Sequence, residues 1–166
     1  MIACVDTHYF DDHASTGVVL FDRWADEQPV KTFRHQFTGV LAQYVPGEFY
    51  KRELPCIMAA LESELDQIET IVVDGYVHLG IDQPGLGLKL FQQLNEQKAI
   101  VGVAKKAFHT ANLAIPVTRG ESEMPLFVTA AGIAADEAAK EIRNMHGPFR
   151  IPTLVKLADS IARENK

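Results

Sequence analysis

A mixed α/β fold is predicted for this 166-residue chain, in which an antiparallel three-strand meander leads into parallel strands and helices flank the sheet. Three observations predict it. Segments 1–5, 17–21 and 30–37 are strand-like and follow one another through polar connections, as hairpin-linked strands do. From residue 49 onward, apolar residues at three- and four-residue steps alternate with short, wholly apolar runs, the order of helices between strands. Three carboxylates, Asp6, Glu53 and Asp74, stand at the ends of separate elements.

Taken in order, residues 1–5 read as a buried strand, 7–16 as a polar hairpin turn containing Asp11 and Asp12, and 17–21 as a second strand. In 30–37, Val30, Thr32, Arg34 and Gln36 alternate with Lys31, Phe33, His35 and Phe37, the period of a half-exposed strand. Pro46 and Gly47 then break the chain. Leu54, Ile57, Met58, Leu61, Leu65 and Ile68 recur at helical spacing, so 49–68 reads as one amphipathic helix. Pro55 is tolerated only near a helix start, which puts Glu53 in or beside the first turn. Residues 70–73 form a short strand, followed by a Gly-rich loop and a helix at 86–94. A buried strand at 99–104 ends at Lys105 and Lys106, and strand–helix–strand order implies parallel pairing. Residues 125–129 read as the last strand, and 134–145 and 154–163 as helices with a turn at Gly147 and Pro148.

Composition narrows the class. At this length one domain, 1–166, accommodates a substantial core, and 47% apolar with 23% charged residues is ordinary for a soluble globular protein. No apolar run approaches the ~20 residues that span a bilayer, and Asp6 interrupts any leader-like start, so a cytoplasmic protein without membrane attachment is expected. Cys4 and Cys56 have no metal or redox spacing and read as small packing residues. The net charge of −6 disfavours gripping long duplex by electrostatics alone. No residue pattern sets an oligomeric state.

The three acids carry the chemistry. An Asp after a strand commonly caps the next turn, so each alone has a structural explanation. Carboxylates converging from three separate elements repel one another unless a divalent cation lies between them. Hard cations with oxygen ligands suit such a set, Mg²⁺ above all, with Mn²⁺ as its substitute. His8 and His13 beside Asp11 and Asp12 are a weaker candidate, because a polar hairpin turn explains them equally well.

The element order is that of the ribonuclease H-like fold, and four segments carry a closer likeness. Val5-Asp6 is followed by Tyr9. Tyr44-Val45-Pro46-Gly47 leads to Arg52-Glu53-Leu54-Pro55. The others are Val72-Val73-Asp74-Gly75 and Val101-Gly102-Val103-Ala104-Lys105. With the tail Arg150-Ile151-Pro152 and Leu157-Ala158-Asp159, the chain resembles the endonuclease V family. That resemblance implies a metal-dependent endonuclease cutting DNA or RNA near a deaminated purine such as inosine. Asp6, Glu53 and Asp74 would then bind the metal, and Lys105 would sit near the scissile phosphate. Tyr44, Pro46 and Gly47 would form a wedge between strands. Gly75, Tyr76 and His78 would belong to the substrate-binding loop.

That loop departs from the family pattern of Gly followed by His-Pro-Arg. Gly80 occupies the histidine's position, and Ala130-Ala131-Gly132 lacks the family's later Pro-Gly-His. A narrowed or reshaped base pocket is therefore expected, with weaker preference for inosine. The alternative is a diverged, weakly active or non-catalytic ribonuclease H-like member that binds nucleic acid or protein.

Overall fold

The computed structural model describes residues 1–165. A seven-strand sheet runs in the order Lys31–Phe37, Ala14–Phe21, Ile2–Tyr9, Thr70–Asp74, Ala99–Ala104, Leu126–Ala131 and Ile115–Val117. Its meander is β1 (Ile2–Tyr9), β2 (Ala14–Phe21) and β3 (Lys31–Phe37), paired antiparallel. Then β4 (Thr70–Asp74) lies parallel to β1, and β7 (Ala99–Ala104) parallel to β4. The mixed sheet expected from the sequence is the one observed. At the far edge β9 (Leu126–Ala131) runs antiparallel to β7 and carries the three-residue strand β8 (Ile115–Val117).

Helices cover both faces, so the inner strands are buried on both sides. Helices α1 (Tyr50–Leu61) and α2 (Leu86–Gln93) pack against Ala3, Val5, Val18, Leu20, Ile71 and Val73. Helices α3 (Ala135–Asn144) and α4 (Thr153–Ala162) pack against Cys4, Val19, Phe21, Val72 and Val101. This is the strict alternation of strand side chains, and every residue of β2 is buried. In α1 the wholly buried Ile57 and Leu61 anchor the helix. Each stabilises by ~1.5–3 kcal/mol, which lets the helix hold a carboxylate among others like it.

Several boundaries differ from the sequence reading. β1 continues four residues past Val5, so Asp6 lies inside the strand, opposite Gly17, and the hairpin turn shrinks to residues 10–13. Thr7 and Thr16, polar and turn-like in sequence, pair across the ladder with their hydroxyls 2.9 Å apart. α1 stops at Leu61, followed by a 3₁₀ turn at Leu65–Gln67. There the chain redirects so that Glu64 meets Lys31 at 2.6 Å and also accepts from Gln67. The Gly-rich loop holds a small ribbon, β5 (His78–Gly80) with β6 (Gln83–Pro84). Among the described residues no helix is long and apolar enough to cross a membrane.

Candidate active site

The parallel strands β1 and β4 pair Val5 with Val73, so Asp6 and Asp74 lie side by side where the ladder ends. Alternation turns both towards the face that holds Cys4 and Val72. Glu53 arrives from the first turn of α1, on the opposite face, and is 2% exposed.

The electrostatics tie the three together. Burial, reinforced by Asp74, pushes the Asp6 carboxyl up to about 7, while Lys105 pulls it down and Asp159 pushes it further up. Glu53 is raised well above the ordinary carboxylate range by burial and then by Asp6 and Asp74. Asp6 therefore feels Asp74, and Glu53 feels both of them. One Glu53 oxygen, Oε2, is buried without a hydrogen-bond partner. An orphaned carboxylate oxygen facing two more acids matches the donor set of a hard dication. Among the described residues, no group of three His, Cys, Asp or Glu side chains already stands in a metal-holding arrangement. A cation already stands on the cluster: Lys105 Nζ lies 3.2 Å from Asp74 Oδ2.

Sequence reasoning missed Asp159 as a site residue. It sits on α4, is 7% exposed, and raises the Asp6 carboxyl. Gly17 admits it: a Cβ there would lie 2.2 Å from the Ala158 carbonyl oxygen. Only glycine opposite Asp6 lets the α4 backbone come this close to the strands. Unlike Glu53, Asp159 is satisfied by Lys156 at 2.7 Å and Arg163 at 2.6 Å. Burial raises its carboxyl, but these hydrogen bonds and charges prevail and hold it below the ordinary value. The available signal was an acid beside Ala158 on the inward side of an amphipathic helix.

Tyr9 supports the site from β1. Its ring lies under the Arg52 guanidinium, 4.1 Å away, and meets Phe49 edge-on, so it braces the helical turn that carries Glu53.

The loop after Asp74 shapes a cavity of about 190 Å³, lined by Gly47, Phe49, Tyr50, Gly75, Tyr76, Leu79 and Phe108 beside Asp74 itself. Gly102 lets this loop fold back over β7, since a Cβ there would lie 2.6 Å from the Gly75 carbonyl oxygen. The Val77 amide donates to Thr129 Oγ1 at 2.8 Å, fixing the loop from below. Tyr76 is buried, and its hydroxyl donates to the Lys106 carbonyl at 2.6 Å. His78 lines a separate groove with Gly80, Ile81 and Asp82. Tyr44 projects from the loop before α1, 63% exposed, with Pro46 also exposed and Gly47 reaching the cavity. His8 and His13 pack on Phe10 at the hairpin tip, and His13 bonds Asp12, so these residues serve one another there.

The endonuclease V family model matches residues 1–130. No curated protein matches the chain. Among solved structures it is similar to Ciona intestinalis endonuclease V in complex with a 24mer DNA containing an inosine followed by a ribo-adenosine. That match has 17% identity and a TM-score of 0.78, covering 98% of this chain and 84% of the other. Human ENDOV matches at 21% identity and a TM-score of 0.76, covering 98% and 82%. Streptomyces avermitilis endonuclease V matches at 25% identity and a TM-score of 0.73, covering 98% and 79%.

Proposed function

Because this chain belongs to the endonuclease V family, we propose that it is a metal-dependent endonuclease that hydrolyses a phosphodiester near deaminated purines, inosine in particular, in DNA or RNA. The observation that carries this reading is the charge coupling of Asp6 to Asp74 and of Glu53 to both, with one buried Glu53 oxygen left without a partner. Asp6, Glu53 and Asp74 would hold Mg²⁺, or Mn²⁺ in its place. The ion would supply charge stabilisation at the phosphoryl oxygens and a more acidic water.

The chain's own residues do the rest. Lys105 moves from Asp74 to a phosphate oxygen of the substrate, exchanging one anionic partner for another. Tyr44, Pro46 and Gly47 form a stiff projection at the cavity mouth that separates the strands. Gly75 and Tyr76 form a wall of the cavity that takes the unstacked base. His78, facing another groove, contributes to the loop's shape and leaves the base to others. Residues 1–166 act as one domain, since the helices beyond residue 130 pack on the same sheet. Free Cys4 and Cys56 suit the cytoplasm.

A second reading, a weakly active or non-catalytic nucleic-acid- or protein-binding member, draws on the Lys105–Asp74 ion pair and the lack of a metal-holding triad among the described residues. Cleavage of inosine-containing single- and double-stranded DNA and RNA, with Mg²⁺ and Mn²⁺, separates the two. Metal-dependent cutting lost in Asp74→Asn supports the nuclease; binding without cutting under every condition supports the second reading.

A further inference from the structure

Phe149 is 74% exposed, an unusual setting for a large aromatic, and the loop beneath it is held from two sides. Arg119, only 5% exposed, donates to the Arg143 carbonyl in the last turn of α3 and to four carbonyl oxygens of that loop: Met145, Gly147, Phe149 and Arg150. Arg150 then reaches away from the loop, donating to the carbonyls of Met124, Pro125 and Lys105. Gly120, at φ +59, brings the neighbouring turn so close that a Cβ would lie 2.2 Å from the Pro148 carbonyl oxygen. A flexible loop would fold such a ring away from water. This one cannot, because its carbonyls are already committed.

The surroundings identify what the ring meets. Phe149 lines an open groove with Arg150, Ile151, Thr153 and Lys156. Among the described residues Arg150 has neutral carbonyl partners and no carboxylate, so its charge stays available. Through the Lys105 carbonyl the groove is joined to the lysine that pairs with Asp74. An apolar ring beside the Arg150 guanidinium, in a groove joined to the acid cluster through Lys105, suits a nucleobase whose phosphate meets that cation.

We infer that Phe149 is a stacking platform for an unpaired base of the substrate strand, a few nucleotides from the bond that is cut. This rests on the nuclease reading above. The preset loop lowers the ordering cost of binding, so stacking contributes nearly its full worth.

The test is fluorescence anisotropy of labelled single-stranded oligonucleotides in EDTA, for wild type, Phe149→Ala and Phe149→Trp, over a range of salt. Phe149→Ala should weaken binding by roughly 5- to 150-fold, the worth of one stacked base at ~1–3 kcal/mol. Its salt slope should stay unchanged, because no charge is removed. Phe149→Trp should bind within about twofold of wild type or tighter, since a larger ring stacks at least as well. Phe149→Ala binding as tightly as wild type, or Phe149→Trp failing along with it, would overturn the platform and leave the nuclease reading in place. Wild type binding no oligonucleotide at any salt, either in EDTA or with Ca²⁺ in its place, would remove the nuclease reading itself.

Discussion

Glu53 and Asp159 are both nearly buried acids, 2% and 7% exposed, carried by helices on opposite faces of the same sheet. Their circumstances are opposite. Asp159 has Lys156 and Arg163 on its two oxygens and stays ionised readily. Glu53 has a bare oxygen and two anionic neighbours, which favour its protonated form. The protein thus neutralises one acid with its own cations and leaves the other dependent on something bound. A purely structural carboxylate resembles the first; a ligand-binding one resembles the second.

The largest expected effect breaks the Glu53 side. Glu53→Gln and Asp6→Ala should each lower metal-dependent cleavage by about a thousandfold or more, because a lost ligand forfeits several kcal/mol of transition-state stabilisation. Both should still fold, checked by circular dichroism. Wild-type rates in either variant would show that cutting arises elsewhere.

The next effect concerns pH. Asp6 is raised to about 7 in the folded protein, above its unfolded value. The folded state therefore binds the extra proton, and metal-free stability falls as pH rises from about 4 through about 7. Asp6→Asn should shrink that fall, leaving the share that the raised Glu53 carries, and raise metal-free stability at pH 7.5 by ~1–3 kcal/mol, or about 3–9 °C in Tm. Melting curves between pH 5 and 8 check it; an unchanged pH slope in Asp6→Asn would place the proton on another group.

Asp159→Asn should act in the reverse direction. Asp159 is held below its ordinary value, so its stabilisation is present above the unfolded carboxylate range and is lost as pH falls through the folded value. The partners Lys156 and Arg163 are more than half exposed, which limits the cost to about 1 kcal/mol. A lower Tm at pH 7 that converges with wild type in acid is the expected pattern.

The smallest effect is on discrimination. With Tyr76 and Leu79 lining the cavity, the ratio of inosine to adenine cleavage should be lower than in a relative with the His-Pro-Arg loop. Competitive cleavage of matched substrates measures it, and an equal ratio would exclude this loop as a determinant.

How far the sequence could be read follows the same physics. Elements whose pattern is internal to one segment were legible: the alternation of 30–37 became β3, and the apolar run 99–104 became β7. Elements defined by a partner were not. Thr7, His8 and Tyr9 look like a turn until β2 pairs with them, and Ile115–Val117 has only three residues, with Pro116 in the middle. The 49–68 helix reading failed at its end because Glu64, polar in sequence, is drawn to Lys31 thirty-three residues away. At the site, acids at element ends were visible in sequence. Asp159 was not, because its approach depends on the space left by Gly17 on another strand.

Calorimetric titration of Mn²⁺ into wild type and Asp74→Asn, in two buffers of different ionisation enthalpy at pH 7, tests the central claim most directly. Wild type should bind with net proton release, since Asp6 and Glu53 must ionise to become ligands. Asp74→Asn should bind at least about tenfold more weakly. Equal affinity in the two proteins, or binding with no proton released, would contradict the account.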